Sequence, residues 1–267
     1  MNFFEHLDEL RSRLIRAIIA VVVGMIGTFV SGDWLFSNVV FAQLKPDFVT
    51  YRVMCAFAEK TGLAGLCIKA PKVEMMNIDM GEPFFKHMQF SFIMGIIIAI
   101  PYIIYQLWLF IKPGLMDVEM KAARGFVFIC SSLFLFGVAF GYFVIAPFSI
   151  AFLAGYTIGG VGGNTTLSSY MGYMTMFTLP MGIVFELPVI IYFLSRIGIV
   201  TPRFLKQYRK HMVVVLLILA GIITPSPDIV SQLLVGVPLY LLYEIGIIVS
   251  EKVQRKKLLR EKNQMVQ

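Results

Sequence analysis

Charged side chains and histidine are scarce in this sequence. Of its 267 residues, 15% are Asp, Glu, Lys or Arg, 58% are hydrophobic, and the mean hydropathy is +0.80. A soluble domain of this length cannot bury so much apolar surface, which excludes a soluble globular protein and indicates a polytopic membrane protein. The three histidines, His6, His87 and His211, are scattered and form no dense cluster with the three cysteines. We therefore expect no metal centre.

Motifs of the common enzyme classes are also missing. The sequence holds no HExxH, no GxSxG and no phosphate-binding glycine loop, so we expect neither an enzyme nor a cofactor. A net charge of +7 would suggest nucleic acid as the partner of a soluble protein. In a membrane protein it indicates basic loops beside anionic lipid headgroups, and nothing in the chain resembles a nucleic-acid module.

Six apolar segments stand out, and a membrane span needs about 20 apolar residues. They cover residues 14–30, 84–111, 122–152, 167–194, 212–223 and 229–250. The first follows a polar start without a small-residue cleavage site, so we expect it to stay in the protein as a span. The fifth is short, and the proline-rich turn 224–228 joins it to the sixth. We predict an all-α protein of six transmembrane helices whose last two form a tight hairpin, with a re-entrant fifth segment as the alternative.

The distribution of Lys and Arg predicts how these spans are oriented. If both chain ends are cytoplasmic, most of the 23 basic residues lie inside, and the second and third external loops carry none. The positive-inside rule then favours N-in and C-in. Residues 1–267 are predicted to form a single integral membrane domain. Within it we expect a cytoplasmic amphipathic helix at 1–13, a long external loop at 31–83 and a basic cytoplasmic tail at 251–267.

The long external loop contains two of the three cysteines. Cys55 and Cys67 are separated by residues 56–66, and on an oxidising outer face they could form a disulfide. The alternative is two unpaired thiols on a locally amphipathic segment. Cys130 lies in the third apolar segment, where we expect it to serve in packing.

Apolar and charged residues are interleaved before the first span. The apolar ones recur at helical spacing: Phe3, Phe4, Leu7, Leu10 and Leu14. This pattern predicts a short amphipathic helix that lies on the membrane. Glu9 and Arg13 are four positions apart and can form a helix-surface ion pair, which would be a purely structural role.

The end of the second span and the start of the third also carry polar signals. Tyr105 and Trp108 suit an interfacial aromatic belt, and Lys112 marks the cytoplasmic edge. Asp117 and Glu119 come where the third helix begins, a position at which the helix dipole favours a carboxylate. Capping and a binding function are both open for these two residues.

Glu186 is an ionisable residue inside an apolar run, residues 167–194, that is long enough to cross a bilayer. Pro180 and Pro188 flank it. A carboxyl group at that depth costs a few kcal/mol on insertion scales, about 2.5–3.5. It is normally retained only where it faces a cavity, a partner helix or a transported species, so Glu186 is the first functional candidate.

Prolines and glycines within the spans predict bent, closely packed helices. Four prolines are expected to kink their helices, because each removes an amide donor: Pro101, Pro147, Pro188 and Pro238. Kinked helices favour a curved wall over a straight bundle. Gly137 and Gly141 form a small-xxx-small pair. Near the last span, Asp228 is expected to cap a helix, and Glu244 could pair with a basic loop residue.

Several motifs together resemble those of the TatC family, the multi-spanning subunit of the Sec-independent twin-arginine protein translocase. They lie at residues 5–13, 83–85, 105–115 with Glu119, 185–188, 224–228, 231–232 and 238–246. They cover nearly the whole chain in the order of the family. Two features depart from the family pattern: the external loop is longer, and residues 41–44 stand where a proline is expected.

The resemblance implies a kinked, concave, glove-like wall and assigns roles to particular residues. Glu9 and Glu119 would recognise the paired arginines of a signal peptide, and Leu10, Arg11 and Phe110 would line the same patch. Glu186 would face the concave side and meet a transmembrane helix of a TatA- or TatB-type partner. Four residues at the outer face would help to hold partner helices: Phe84, Phe85, Asp228 and Gln232.

The resemblance also implies a function. The chain would be the receptor and core of a translocase that exports folded proteins across the bacterial cytoplasmic membrane, driven by the proton-motive force. Its partners would be signal peptides, TatA/TatB-type subunits, other copies of itself and the bilayer. The rival interpretation is a proton-coupled small-molecule transporter with Glu186 as the relay, although no internal repeat is evident. A purely structural scaffold would leave Glu186 unexplained.

Overall fold

The first span is one continuous helix. The computed structural model describes residues 3–62, 67, 70–71, 75–111, 125–158, 161–162, 165–224 and 229–265. Helix α1 runs over Phe3–Val30. From Phe3 on, the amphipathic stretch therefore forms the first turns of the span itself, where the sequence predicted a separate helix. The reason is local, since the chain has neither glycine nor proline between Phe3 and Gly24 to interrupt the helix.

The remaining long helices match the predicted apolar segments. They are α4 (Glu82–Ile111), α5 (Phe126–Phe140), α6 (Ala146–Gly155), α7 (Leu167–Phe185), α8 (Leu187–Ile197) and α11 (Ile229–Met265). In the described residues, five helical segments are long and apolar enough to cross a membrane: Leu7–Val30, Glu82–Phe110, Phe126–Gly155, Leu167–Ile197 and Gln232–Leu259. The predicted fifth segment forms a shorter helix, α10 (Arg209–Ile223), after the short α9 (Pro202–Gln207). The all-α membrane fold is confirmed.

Neighbouring helices pack in a continuous series. Helix α1 packs on α4, α4 on α5, α5 on α7, α8 on α11, and α11 on α10. Gly137, near the end of α5, lies at one of these contacts, because a Cβ atom there would be 2.6 Å from the carbonyl oxygen of Met181 on α7. Such close backbone approach is what small residues allow between membrane helices. The many exposed apolar side chains of α1 suit contact with lipid.

Two of the four kink-forming prolines interrupt their helices, and two do not. A π-helical turn, Gly141–Ile145, comes directly before the helix that contains Pro147, and the chain leaves helical geometry at Glu186, two residues before Pro188. Pro101 and Pro238 lie within continuous helices. Neighbouring helices can satisfy the backbone groups that a proline frees, so a membrane helix need not end there.

The loop at residues 31–83 that the sequence predicts to be external, which we call the external segment, contains several helical elements. It contains α2 (Gly32–Leu35), a π-turn (Phe36–Val40), a 3-10 turn (Phe41–Leu44) and α3 (Val49–Thr61). The hydroxyl groups of Tyr142 and Tyr170 donate to the carbonyls of Val39 and Val40, each at 2.6 Å. Short strands complete this end: β1 (Met75–Met76) pairs in parallel with β4 (Thr165–Thr166), and β2 (Thr157–Ile158) pairs with β3 (Val161–Gly162).

Candidate functional site

Glu9 lies on the end of the molecule where α1 begins and α4 ends, which we call the basic end. Its Oε1 atom accepts two hydrogen bonds from Arg13, from Nε at 3.1 Å and from Nη2 at 2.6 Å. The pair is partly exposed, with 21% of the Glu9 side chain and 19% of the Arg13 side chain accessible. The helix-surface ion pair predicted from the four-residue spacing is confirmed.

Gln106 joins this pair from the other helix. Arg13 donates from Nη1 to Oε1 of Gln106 at 3.4 Å, and only 4% of Gln106 is exposed. Sequence reasoning missed this residue, since it stood out only as an amide within an apolar helix. The contact ties the start of α1 to the end of α4 through an arginine that also holds Glu9.

Of the other residues expected in this patch, the structure describes all except Glu119. Leu10 and Arg11 are exposed on α1 next to Glu9, and Phe110 is half-buried near the end of α4. These three therefore belong to the same end of the molecule as Glu9. Glu119 lies outside the described residues, so its distance to Glu9 stays a prediction.

Glu186 sits at the junction of α7 and α8. Its backbone carbonyl accepts from the amides of Val189 and Ile190, at 2.9 and 3.0 Å, which starts α8 despite the missing donor at Pro188. Its side-chain Oε1 is buried and has no hydrogen-bond partner among the described residues. The buried Cys130 thiol of α5 is a neighbour of this carboxyl group. A carboxyl oxygen without a partner in such a place is costly to the isolated chain.

The residues predicted to lie at the outer face are found on different helices. Phe84 and Phe85 begin α4, are 58% and 61% exposed, and lie 5.8 Å apart between ring centroids. Gln232 lies on α11 and donates from Nε2 to the carbonyl of Leu217 on α10 at 3.0 Å. It therefore closes the predicted hairpin of the last two segments. Asp228 lies outside the described residues.

Glu82, the first residue of α4, is a further carboxylate that the sequence analysis did not single out. Its Oε1 accepts from the amide of Ser168 at 2.6 Å, and its Oε2 accepts from the amide of Ile78 at 3.3 Å. Ser168 is in the first turn of α7, where backbone amides have no helical partner. Glu82 thus caps one helix from the start of another.

The cysteine pair lies in the folded external segment. Cys55 on α3 and Cys67 are joined as a disulfide in the structure, with Cα atoms 4.2 Å apart. On the same helix, Tyr51 donates to the carbonyl of Gln43 at 2.9 Å, and burial raises the pKa of Tyr51 to about 12. The third cysteine, Cys130, is a buried free thiol.

Glu244 has the basic partner that the sequence suggested. Arg209, at the start of α10, donates from Nη2 to its Oε2 at 2.7 Å, and Tyr240 donates to its Oε1 at 2.9 Å. This explains Glu244 as a structural ion pair between α10 and α11. In the ranges that the structure describes, no group of three or more His, Cys, Asp or Glu side chains could hold a metal ion.

Comparison with known proteins agrees with the motifs and the fold. A family model described as Sec-independent protein translocase protein (TatC) matches residues 5–238. The TatC protein of Blattabacterium sp. subsp. Periplaneta americana (strain BPLAN) is 37% identical over 260 residues, which cover 96% of this chain and 97% of that protein. The TatCy protein of Bacillus subtilis (strain 168) is 34% identical over 257 residues, covering 96% and 91%.

Two solved structures share the architecture, and both are described as crystal structures of the twin arginine translocase receptor TatC. One has a TM-score of 0.67 and 30% identity, covering 93% of this chain and 99% of that one. The other, in DDM, has a TM-score of 0.71 and 31% identity, covering 92% and 99%. The relatives are components of protein translocases rather than enzymes. This multi-pass membrane chain therefore belongs to the TatC family of Sec-independent protein translocase proteins.

Proposed function

We propose that this protein is the receptor subunit of a twin-arginine translocase and binds signal peptides at Glu9 and Glu119. The observation that carries the proposal is the partly exposed Glu9 carboxylate, held on α1 beside the exposed Leu10 and Arg11. The receptor structures with 30% and 31% identity support it. Phe110 completes the patch from α4.

The chemistry of a carboxylate receptor accounts for a twin-arginine requirement. Guanidinium offers a planar fork of donors that can pair with both oxygens of a carboxylate, whereas an ammonium group makes a point contact. Two carboxylates could each take one arginine. A Lys-Lys peptide would keep the charge and lose the paired geometry.

Glu186 has a separate role in this proposal. It meets a polar group on the transmembrane helix of a TatA- or TatB-type subunit, and the position of this carboxyl group inside an apolar run, at the junction of α7 and α8, supports such a contact. Phe84, Phe85, Asp228 and Gln232 help to hold partner helices at the outer end. The subunit, with other copies of itself, exports folded proteins at the expense of the proton-motive force.

The setting we propose is the bacterial cytoplasmic membrane, with both chain ends inside. Basic residues at the start of α10 and along the end of α11 support this orientation, because basic segments stay on the cytoplasmic side. Residues 251–267 would then be a cytoplasmic tail that continues the last helix.

The test is binding of a labelled signal peptide to the full-length protein in detergent, with Arg-Arg and Lys-Lys forms compared. We expect a strong Arg-Arg preference that Glu9→Ala and Glu119→Ala each abolish while the protein still inserts. Glu251→Ala is the matched control, because Glu251 is also a helix carboxylate in an ion pair, with Lys206. Unchanged binding by both variants would reject the assigned roles. Substrate uptake by liposomes that hold this subunit alone would favour the transporter.

A further inference from the structure

Arg13 already occupies the carboxylate that we assign to a signal arginine. Its Nε and Nη2 atoms both donate to Oε1 of Glu9, at 3.1 and 2.6 Å. A guanidinium that binds this oxygen is chemically the same group that an incoming arginine would present. The protein therefore holds an intramolecular version of its proposed ligand.

Arg13 also has a second acceptor that does not belong to Glu9. Its Nη1 lies 3.4 Å from Oε1 of Gln106, a side chain that is 4% exposed on α4. A guanidinium group has five donors and spreads them over a planar fork. If Arg13 left Glu9, Gln106 could still accept from it, so the displaced charge would keep one hydrogen-bond acceptor.

We propose that Arg13 is a built-in competitor that a signal arginine must displace from Glu9, with Gln106 holding Arg13 in the occupied receptor. This inference rests on the proposed function, because it concerns the same carboxylate. The exchange replaces one guanidinium–carboxylate pair by another and leaves Arg13 as a cation whose hydrogen-bond acceptor is the neutral amide of Gln106. A peptide binds Glu9 only if its own contacts outweigh the free energy of the Arg13–Glu9 pair that it breaks. Arg13 therefore prevents weakly basic segments from occupying Glu9.

The proposal predicts that removing Arg13 strengthens binding. We expect Arg13→Gln to lower the Kd for the Arg-Arg peptide by about fivefold, the upper range for a partly exposed ion pair. Arg13→Lys keeps the charge and loses the fork, so it should lower the Kd by about twofold. The control is Arg16→Gln, which removes one exposed positive charge from the same helix and should leave the Kd nearly unchanged.

A double-mutant cycle shows whether the effect acts through Glu9. In a Glu9→Gln background, Arg13→Gln should leave the Kd unchanged, because the competing pair no longer exists. Gln106→Met should raise the Kd about threefold in the otherwise unaltered protein, because displaced Arg13 loses its acceptor, and should have no effect beside Arg13→Gln.

Three results would overturn the proposal: weaker or unchanged binding by both Arg13 variants, equal tightening by Arg16→Gln, or the same tightening in the Glu9→Gln background. Weaker binding would make Arg13 a structural support of α1, and the other two results would indicate a general charge effect. Failure of the receptor function gives a different pattern, in which the unaltered protein lacks Arg-Arg preference or Glu9→Gln leaves binding intact. The two failures are therefore distinguishable by the same set of proteins.

Discussion

Gln43 donates from its side-chain Nε2 to the backbone carbonyl of Tyr142 at 2.8 Å, and this bond joins the external segment to the third span. Thr50 donates its hydroxyl to the next carbonyl, that of Phe143. Pro147 has no amide hydrogen, so it cannot donate to the carbonyls four and five residues before it, which belong to Phe143 and Tyr142. The external segment supplies the donors that this proline removes.

Gln43→Leu should therefore destabilise the protein by about 1 kcal/mol, because it leaves a partly buried carbonyl without this donor. The measurement is the midpoint of thermal unfolding in detergent. Pro147→Ala restores an amide near these carbonyls, so Gln43→Leu should cost less in that background. An equal loss in both backgrounds would show that Gln43 acts by packing alone.

Gly95→Ala and Gly27→Ala should change stability in opposite directions. A Cβ atom at Gly95 would lie 2.6 Å from the backbone nitrogen of Met25, so α1 and α4 must move apart, at a cost of about 1–3 kcal/mol. A Cβ atom at Gly27 meets nothing within 4 Å, and alanine there should add about 0.5–1 kcal/mol through helix propensity. Unfolding midpoints of the two variants test this contrast, which fails if both shift alike.

Glu186→Leu should separate stability from assembly. Removal of a buried carboxyl oxygen without a partner should stabilise the isolated subunit by about 1–3 kcal/mol. The same change should abolish co-purification of a TatA- or TatB-type partner, whereas Glu186→Gln should retain part of it. Cys130→Ala is the control, since it alters only the neighbour of the carboxyl group. A Glu186→Leu protein that still assembles and exports would favour the scaffold interpretation.

The Cys55–Cys67 disulfide can be tested chemically. Mass spectrometry of peptides from the non-reduced protein should find the two cysteines linked. If it finds both thiols free, the disulfide is ruled out. Closing a loop of this size should contribute about 2–3 kcal/mol in the chain-entropy model. The double variant Cys55→Ser/Cys67→Ser should lower the unfolding midpoint accordingly. Cys130→Ser, which breaks no disulfide, is the comparison.

Tyr51 should make the external segment sensitive to alkaline pH. Burial raises its pKa to about 12 in the folded protein, against about 10 for an exposed phenol. A raised pKa means that the neutral form is favoured on folding, so this stabilisation is complete below about pH 10 and is lost as the pH rises toward 12. Stability measured across this window should fall less steeply in Tyr51→Phe. Identical slopes would show that another group controls the alkaline transition.

Sequence patterns predicted correctly the features that depend on a single helix. The spacing of Glu9 and Arg13 predicted their ion pair, and the apolar runs predicted the long helices. The amphipathic helix predicted at residues 1–13 forms, from Phe3 on, the first turns of α1, because neither glycine nor proline interrupts the chain there. The folded external segment was missed, since its anchors are Gln43 and Thr50, polar residues whose partners lie about a hundred positions away.

The sequence by itself determined that this protein crosses a membrane, where its main apolar helices lie and which carboxylates are functional candidates. Those properties depend on composition and short-range periodicity, which are readable along the chain. Only the tertiary structure decided that Arg13 reaches Gln106, that Glu82 caps the helix at Ser168, and that Oε1 of Glu186 has no partner among the described residues. Such contacts depend on how helices pack side by side, and helical periodicity specifies which face is apolar but not which helix covers it.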